Sequence, residues 1–309
     1  MDTPSQDRPI KAIHPRWQEL SFTAKRFFKN PLSTIGLAIL ALFLIIAILA
    51  PVICPPKYPD PYKIPHAGWQ IQPSPPSAGH IFGTTEEQYD LLYGIVWGTR
   101  SAFRIGILVV GANLIIGILL GAIAGYFGGL VDEILMRITD VFYSIPYLVM
   151  AMALVVAIGR GLTAVIIVMI ILEWPAYTRI LRSDILVIRN KEYIMAARAS
   201  GSSHFKIILK HILPNAMYSV LILASMNIGA TILTAAALSF LGLGSQTGTA
   251  DWGQIVSLCR NWIVGLPGHP FAFWYTVFIP GFVITLFVLG WNLLGDAVRD
   301  VFDPKLRRK

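Results

Sequence analysis

Charge is what this sequence has least of. Only 14% of its 309 residues are Asp, Glu, Lys or Arg, against about 25% in a typical soluble domain. Two cysteines are too few for a disulfide scaffold, and an apolar share of 55% excludes a disordered chain. The short motifs of chemistry are missing as well. There is no G-x-x-x-x-G-K-[ST], no G-x-G-x-x-G after a strand, no H-E-x-x-H and no C-x-x-C. The six histidines do not gather at metal-ligand spacings. A membrane enzyme would need a buried nucleophile–base pair or a metal cluster, so nothing here reads as an active site. Lys and Arg number 25 against 17 Asp and Glu, a net charge of +8. These cations sit at the ends of apolar runs and not on a solvated basic face, which argues against nucleic acid as a partner.

What is there is apolar sequence in long runs. A bilayer core about 30 Å thick takes roughly 20 apolar residues in a helix. Residues 35–54 form such a run without one charge. Further runs lie between Arg104 and Asp132, from Ile134 to Ile158, from Leu162 to Leu181, between Lys210 and Asp251, and between Arg260 and Asp296. The last two are too long for one span and too short for two, so each reads as one helix plus an apolar hairpin or re-entrant segment. The expected fold is an all-α integral membrane protein with six transmembrane helices, near 33–54, 100–126, 134–158, 162–182, 213–240 and 272–296. They make a membrane domain over 32–298, between an N-terminal segment, 1–31, and a basic tail, 299–309. Of the 25 Lys and Arg, 19 fall on the side of the termini, leaving Lys57, Lys63, Arg100, Arg104, Arg160 and Arg260 opposite. The positive-inside rule then puts both termini in the cytoplasm. The first run continues into Pro55-Pro56 without a small-residue cleavage signal and reads as a retained signal anchor in the cell membrane.

Two loops and two polar positions interrupt this scheme. The external loop, 55–98, opens with eight prolines between 55 and 76, which predicts an extended or polyproline-like spacer or partner-docking segment. Cys54 and Cys259 lie near the same face and either pair or stay as two inert thiols. Glu173 sits inside the fourth run, where a carboxylate is costly and faces a bundle interior or a watery path. It reads as a hydrogen-bonding group, as a lining of the translocation path together with Asn227, or as the titrating group of an ion-coupled transporter or channel. Pro175 beside it should kink the helix. Gly117, Gly121 and Gly125 form a small-xxx-small ladder for close helix packing.

The most informative stretch is the second loop, 190–212. Asn190 can cap a short helix, and Gly201 suits the residue that ends it. Ser202 or Ser203 can cap the next helix, and Pro214 suits the first turn of the fifth span. The product is a helix–turn–helix knuckle on the cytoplasmic side, or merely an amphipathic surface helix.

With Ala196-Ala197, Gly201 and Leu213-Pro214 at the expected spacing, this segment resembles the EAA loop of ATP-binding-cassette importer permeases; Met195 stands where the family has its first Glu. The resemblance extends to Gly125-Tyr-Phe-Gly-Gly-Leu-Val-Asp-Glu-Ile-Leu-Met-Arg137, Ser144-Ile-Pro146, Ala237-Leu-Ser-Phe-Leu-Gly-Leu-Gly244, Trp252-Gly253, Asn292-Leu-Leu-Gly-Asp-Ala-Val-Arg-Asp300 and Asp303-Pro304. These are similar to the "C" permease subunit of dipeptide, oligopeptide and nickel importers. The stretch His80-Ile-Phe-Gly-Thr84 with Asp90 matches in part, Gln88-Tyr89 replacing a customary Gly-Arg. The resemblance implies the type I importer permease fold and a protein without enzymatic activity of its own. Its implied partners are a homologous, non-identical permease, two ATPases that bind ATP and Mg, an extracytoplasmic solute-binding protein and membrane lipid. No cofactor belongs to this chain. The implied ATPase-coupling residues are Tyr193, Met195, Ala196, Ala197, Gly201, Ser203, Phe205, Lys206 and Pro214. The implied cargo is a dipeptide or oligopeptide, with nickel, an opine or an oligosaccharide as the alternatives.

Overall fold

A computed structural model describes residues 30–302. Among these residues every regular element is a helix, and pairing of extended backbone is confined to isolated bridges in the loops. The long elements are α1 (Pro31–Ile53), α2 (Leu91–Phe127), α3 (Gly129–Ser144), α4 (Tyr147–Ile158) and α5 (Leu162–Ile188). Two short helices follow, α6 (Glu192–Ala199) and α7 (His204–Ile207); then come α8 (Leu213–Phe240), α9 (Trp252–Cys259) and α10 (Trp274–Phe302). Five helical stretches are long and apolar enough to cross a bilayer, and α3 with α4 makes a sixth, bent by 91°. The N-terminal cations and most of the basic tail lie outside the described residues.

The third span is therefore not the single helix that the sequence suggests. Pro146 has no N–H and disfavours helical backbone at the residue before it; Ile145 accordingly sits at φ −109°, ψ 135°. The pair still crosses from end to end. Asp132 meets Arg182, Asp140 meets Arg179, Tyr147 meets Glu173, and Val155 shares a cluster with Val165. These contacts run antiparallel along α5.

The core is the pairing of α2 with α5. A Cβ built on Gly117 would lie 2.3 Å from the Cβ of Tyr177, one on Gly121 2.8 Å from the Thr178 carbonyl oxygen, and one on Gly125 2.8 Å from Ile185. The ladder is thus a packing device. Its contacts advance together on both helices, so α2 and α5 run parallel, which is why the bent pair must return the chain between them. Helix α8 packs on both, α10 packs on α8 and α1, and α1 also lies against α2.

Other boundaries move for local reasons. Asp90 caps α2 by accepting from the Tyr93 amide, so residues 91–98, expected in the external loop, are helical. Arg100 is accommodated over the Trp97 ring at 5.1 Å. Helix α5 continues through Pro175 to Ile188. After α8, the expected re-entrant segment is the short helix α9, tucked so closely beneath α8 that a Cβ on Gly253 would lie 2.2 Å from the Ala236 oxygen. Asp251 fixes this turn, accepting from the amides of Gly253 and Gln254 and from the hydroxyls of Ser239 and Ser245. The corresponding piece before α10 is a tight turn closed between Leu266 and His269.

The proline-rich loop is no free spacer. Backbone bonds join Ile64 to Gly248 and Ala250 to Tyr62, at 2.8 and 2.7 Å. Trp97 donates to the Cys54 carbonyl, Tyr93 to the Pro61 carbonyl and Trp262 to Glu86. The loop caps the bundle end made by α1, α2 and α9. Cys54 and Cys259 are both free and buried there.

Candidate functional site

At the opposite end of the bundle lies the knuckle. Helix α6 starts after Lys191, which makes no side-chain cap; Asn190, expected in that role, instead donates to the Leu186 carbonyl at the end of α5. Gly201 ends α6 with φ +73°, in the left-handed region that costs other residues. Ser203 caps α7 through the Lys206 amide. From α7 the helical path runs on without a new start. A π turn, Ile208–Ile212, carries it into α8, with the Leu213 amide reaching the Ile208 carbonyl. Pro214 stands in the first turn of α8, as expected, just past the π turn. The wider turn is a known way to absorb a break in the helical ladder.

The knuckle is rigidly seated. Ile194, Ile207 and Ile212 are fully buried, in one cluster with Tyr126, Ile185 and Ile188. Tyr126 shares a 2.8 Å hydrogen bond with Nδ1 of His204, and the Arg198 guanidinium lies 5.1 Å over the Tyr126 ring. Arg189 donates to the Gly125 carbonyl at 2.9 Å. None of these anchors was singled out in the sequence, although Ile194, Ile207 and Ile212 are the apolar positions such a loop needs to dock on the bundle. On the outer side the structure exposes a patch: Phe205 at 72%, Met195 at 53% and Tyr193 at 42%. Ala196, Gly201, Ser203, Lys206 and Pro214 are exposed too. Ala197 is the exception, half-buried against the bundle core.

The second feature lies inside the bundle. Glu173 Oε1 accepts from the Tyr147 hydroxyl at 3.0 Å, and its Oε2 lies 3.5 Å from both Asn113 Nδ2 and Thr231 Oγ1. Helices α2, α4, α5 and α8 thus each contribute one group. Asn227 does not touch Glu173; it donates to the Tyr177 hydroxyl at 3.2 Å. Tyr147, Asn113 and Thr231 were not anticipated, because a lone hydroxyl or amide in an apolar run looks like ordinary packing until the helices are brought together.

A knuckle projecting from one end of an apolar bundle, and a carboxylate inside it held by donors from three other helices, fit a transport subunit. The family model for binding-protein-dependent transport system inner membrane components matches residues 117–308, and that for the N-terminal TM domain of oligopeptide transport permease C matches residues 17–73. The chain belongs to this permease family. It is 37% identical over 306 residues to the dipeptide transport system permease protein DppC of Alkalihalophilus pseudofirmus, covering 99% of this chain and 95% of that one. It is 37% identical over 284 residues to the oligopeptide transport system permease protein OppC of Bacillus subtilis, covering 92% and 88%. The MetNI methionine ABC transporter, in inward-facing conformations, contains a chain with the same fold. Its TM-score is 0.52 at 20% identity, over 68% of this chain and 97% of the other. The protein is a multi-pass membrane permease of the ABC importer type, and its family is one of transport permeases, not of ATPases.

Proposed function

We propose that this permease is one half of a peptide importer. It pairs with a homologous, non-identical permease, rests on two cytoplasmic ATPases and receives dipeptides or oligopeptides from an extracytoplasmic solute-binding protein. The names of its relatives support the cargo, and the positive-inside count supports cytoplasmic termini. The observation that carries the mechanism is the knuckle. Its outer side offers Tyr193, Met195 and Phe205 to a partner, while its inner side is locked to α2, α5 and α8 through three buried isoleucines. A body seated in this way transmits displacement instead of absorbing it. ATP-driven closure of the ATPases would push on the patch and tilt the helices that carry the path.

Phe205→Ala tests this reading, because Phe205 is exposed and its removal leaves the isoleucine anchors in place. Loss of an aromatic anchor typically costs about 2 kcal/mol of binding. The expected result is normal membrane insertion and pairing with the partner permease, with ATPase retention on purification reduced by more than tenfold and transport falling with it. Full ATPase retention together with full transport would remove the coupling role from the knuckle. Ala197→Glu is the poorer probe, since it would also press a carboxylate against the core.

A further inference from the structure

Acidic groups on the spanning helices mostly sit near helix ends, and two of them have cations: Asp132 meets Arg182, and Asp140 meets Arg179. Glu173 is different on both counts. It lies within α5, and its hydrogen-bond partners are all neutral: a tyrosine hydroxyl, a threonine hydroxyl and an asparagine amide. Those donors position the carboxylate without neutralising it. Beside it Asn113 is fully buried, and its Oδ1 has no hydrogen-bond partner. The cluster thus holds a carboxylate and a spare carbonyl oxygen, an excess of acceptors over donors. Glu173 and Tyr147 are only half-buried, so the cluster opens at the surface of the bundle.

A carboxylate within a membrane span faces a bundle interior or a watery path and often marks the route of a substrate or ion. An ammonium group is the complementary ligand, with three donors, no acceptor and one positive charge. Every peptide with a free N-terminus carries such a group whatever its side chains, so a single fixed carboxylate could serve a whole substrate class without reading sequence.

We propose that Glu173, positioned by Tyr147, Thr231 and Asn113, receives the N-terminal ammonium of a peptide as it crosses the membrane. This assignment rests on the peptide-importer reading. It differs from a purely structural hydrogen-bonding role in requiring the charge, and from ion coupling in requiring it toward the cargo.

The test uses the complete transporter in lipid vesicles, with its external binding protein saturated by either of two tripeptides. The two differ only in having an ammonium or a hydroxyl on the N-terminal α-carbon, and saturation removes selection at the binding protein. Wild type is expected to carry the ammonium form about tenfold faster, the size of one charge-assisted hydrogen bond. In Glu173→Gln the ratio should fall to near one, by slowing of the ammonium form alone, with assembly of the transporter retained. Equal slowing of both peptides in this variant, or an unchanged ratio, overturns the assignment and leaves the peptide reading standing. Equal rates in wild type overturn it without recourse to any variant. Failure of wild type to carry either peptide overturns the importer reading, and the assignment falls with it.

Discussion

Gln88 shows how far a single side chain can offset its backbone. Among the described residues it alone, glycine aside, has φ in the left-handed region, at +62°, at a position where the resemblance leads one to expect glycine. The strain is held by hydrogen bonds: its Nε2 donates to the Gln72 carbonyl at 2.7 Å, and its Oε1 accepts from the Ser74 and Thr84 hydroxyls. The departure from the family's sequence thus has a physical reason here, in stitching the proline-rich loop to itself. Gln88→Ala keeps the strain and loses the bonds, whereas Gln88→Gly loses the bonds and the strain together. The alanine variant should be less stable than the glycine variant by roughly 1 kcal/mol, seen as the lower of two melting temperatures in detergent. Equal melting would mean that the left-handed backbone carries no cost.

At the scale of elements, the α2–α5 seam decides how the bundle closes. Two glycines on the same helix separate its packing from its helical propensity. Gly117 faces Tyr177 with no room for a Cβ, while a Cβ at Gly111 would meet nothing within 4 Å. Gly117→Leu should therefore cost about 2 kcal/mol or more through overpacking, and Gly111→Ala should stabilise by up to about 1 kcal/mol through helix propensity. Thermal unfolding of the two variants in the same detergent checks both signs at once. The ladder was legible as a packing motif, because glycines spaced at i, i+4 and i+8 share one helix face. Its partner was not, since nothing in α2 names the helix it meets. The knuckle was legible at Gly201 and Ser203, where local backbone geometry dictates residue type. It was misjudged at Asn190, whose side chain turns back to the end of α5, and the π turn that leads into α8 left no mark in the residue pattern.

The whole molecule has two unlike ends, and their distinction can be tested chemically. Gln70 and Gln246 are exposed at the end capped by the proline-rich loop, and Ser200 is exposed on the knuckle. In sealed cells, Gln70→Cys and Gln246→Cys should react with an impermeant maleimide and Ser200→Cys should not; labelling of Ser200→Cys would reverse the proposed orientation. The natural thiols should give a quiet background. Cys259 is fully buried, and burial pushes its thiol up to about 12, so almost none of it is thiolate at pH 7 to 8. By itself the sequence determined that this chain is a helical membrane protein, roughly where its spans lie, which side its cations favour and which loop projects. Those properties follow from hydrophobic run length, charge placement and turn chemistry, all local along the chain. Only the tertiary structure decided that Pro146 bends the third span by 91° without ending it, that the proline-rich loop folds back as a cap, and that Glu173 gathers donors from three other helices. Each of these depends on contacts between residues far apart in sequence, and the residue spacing within one helix carries no record of which face of another it will meet.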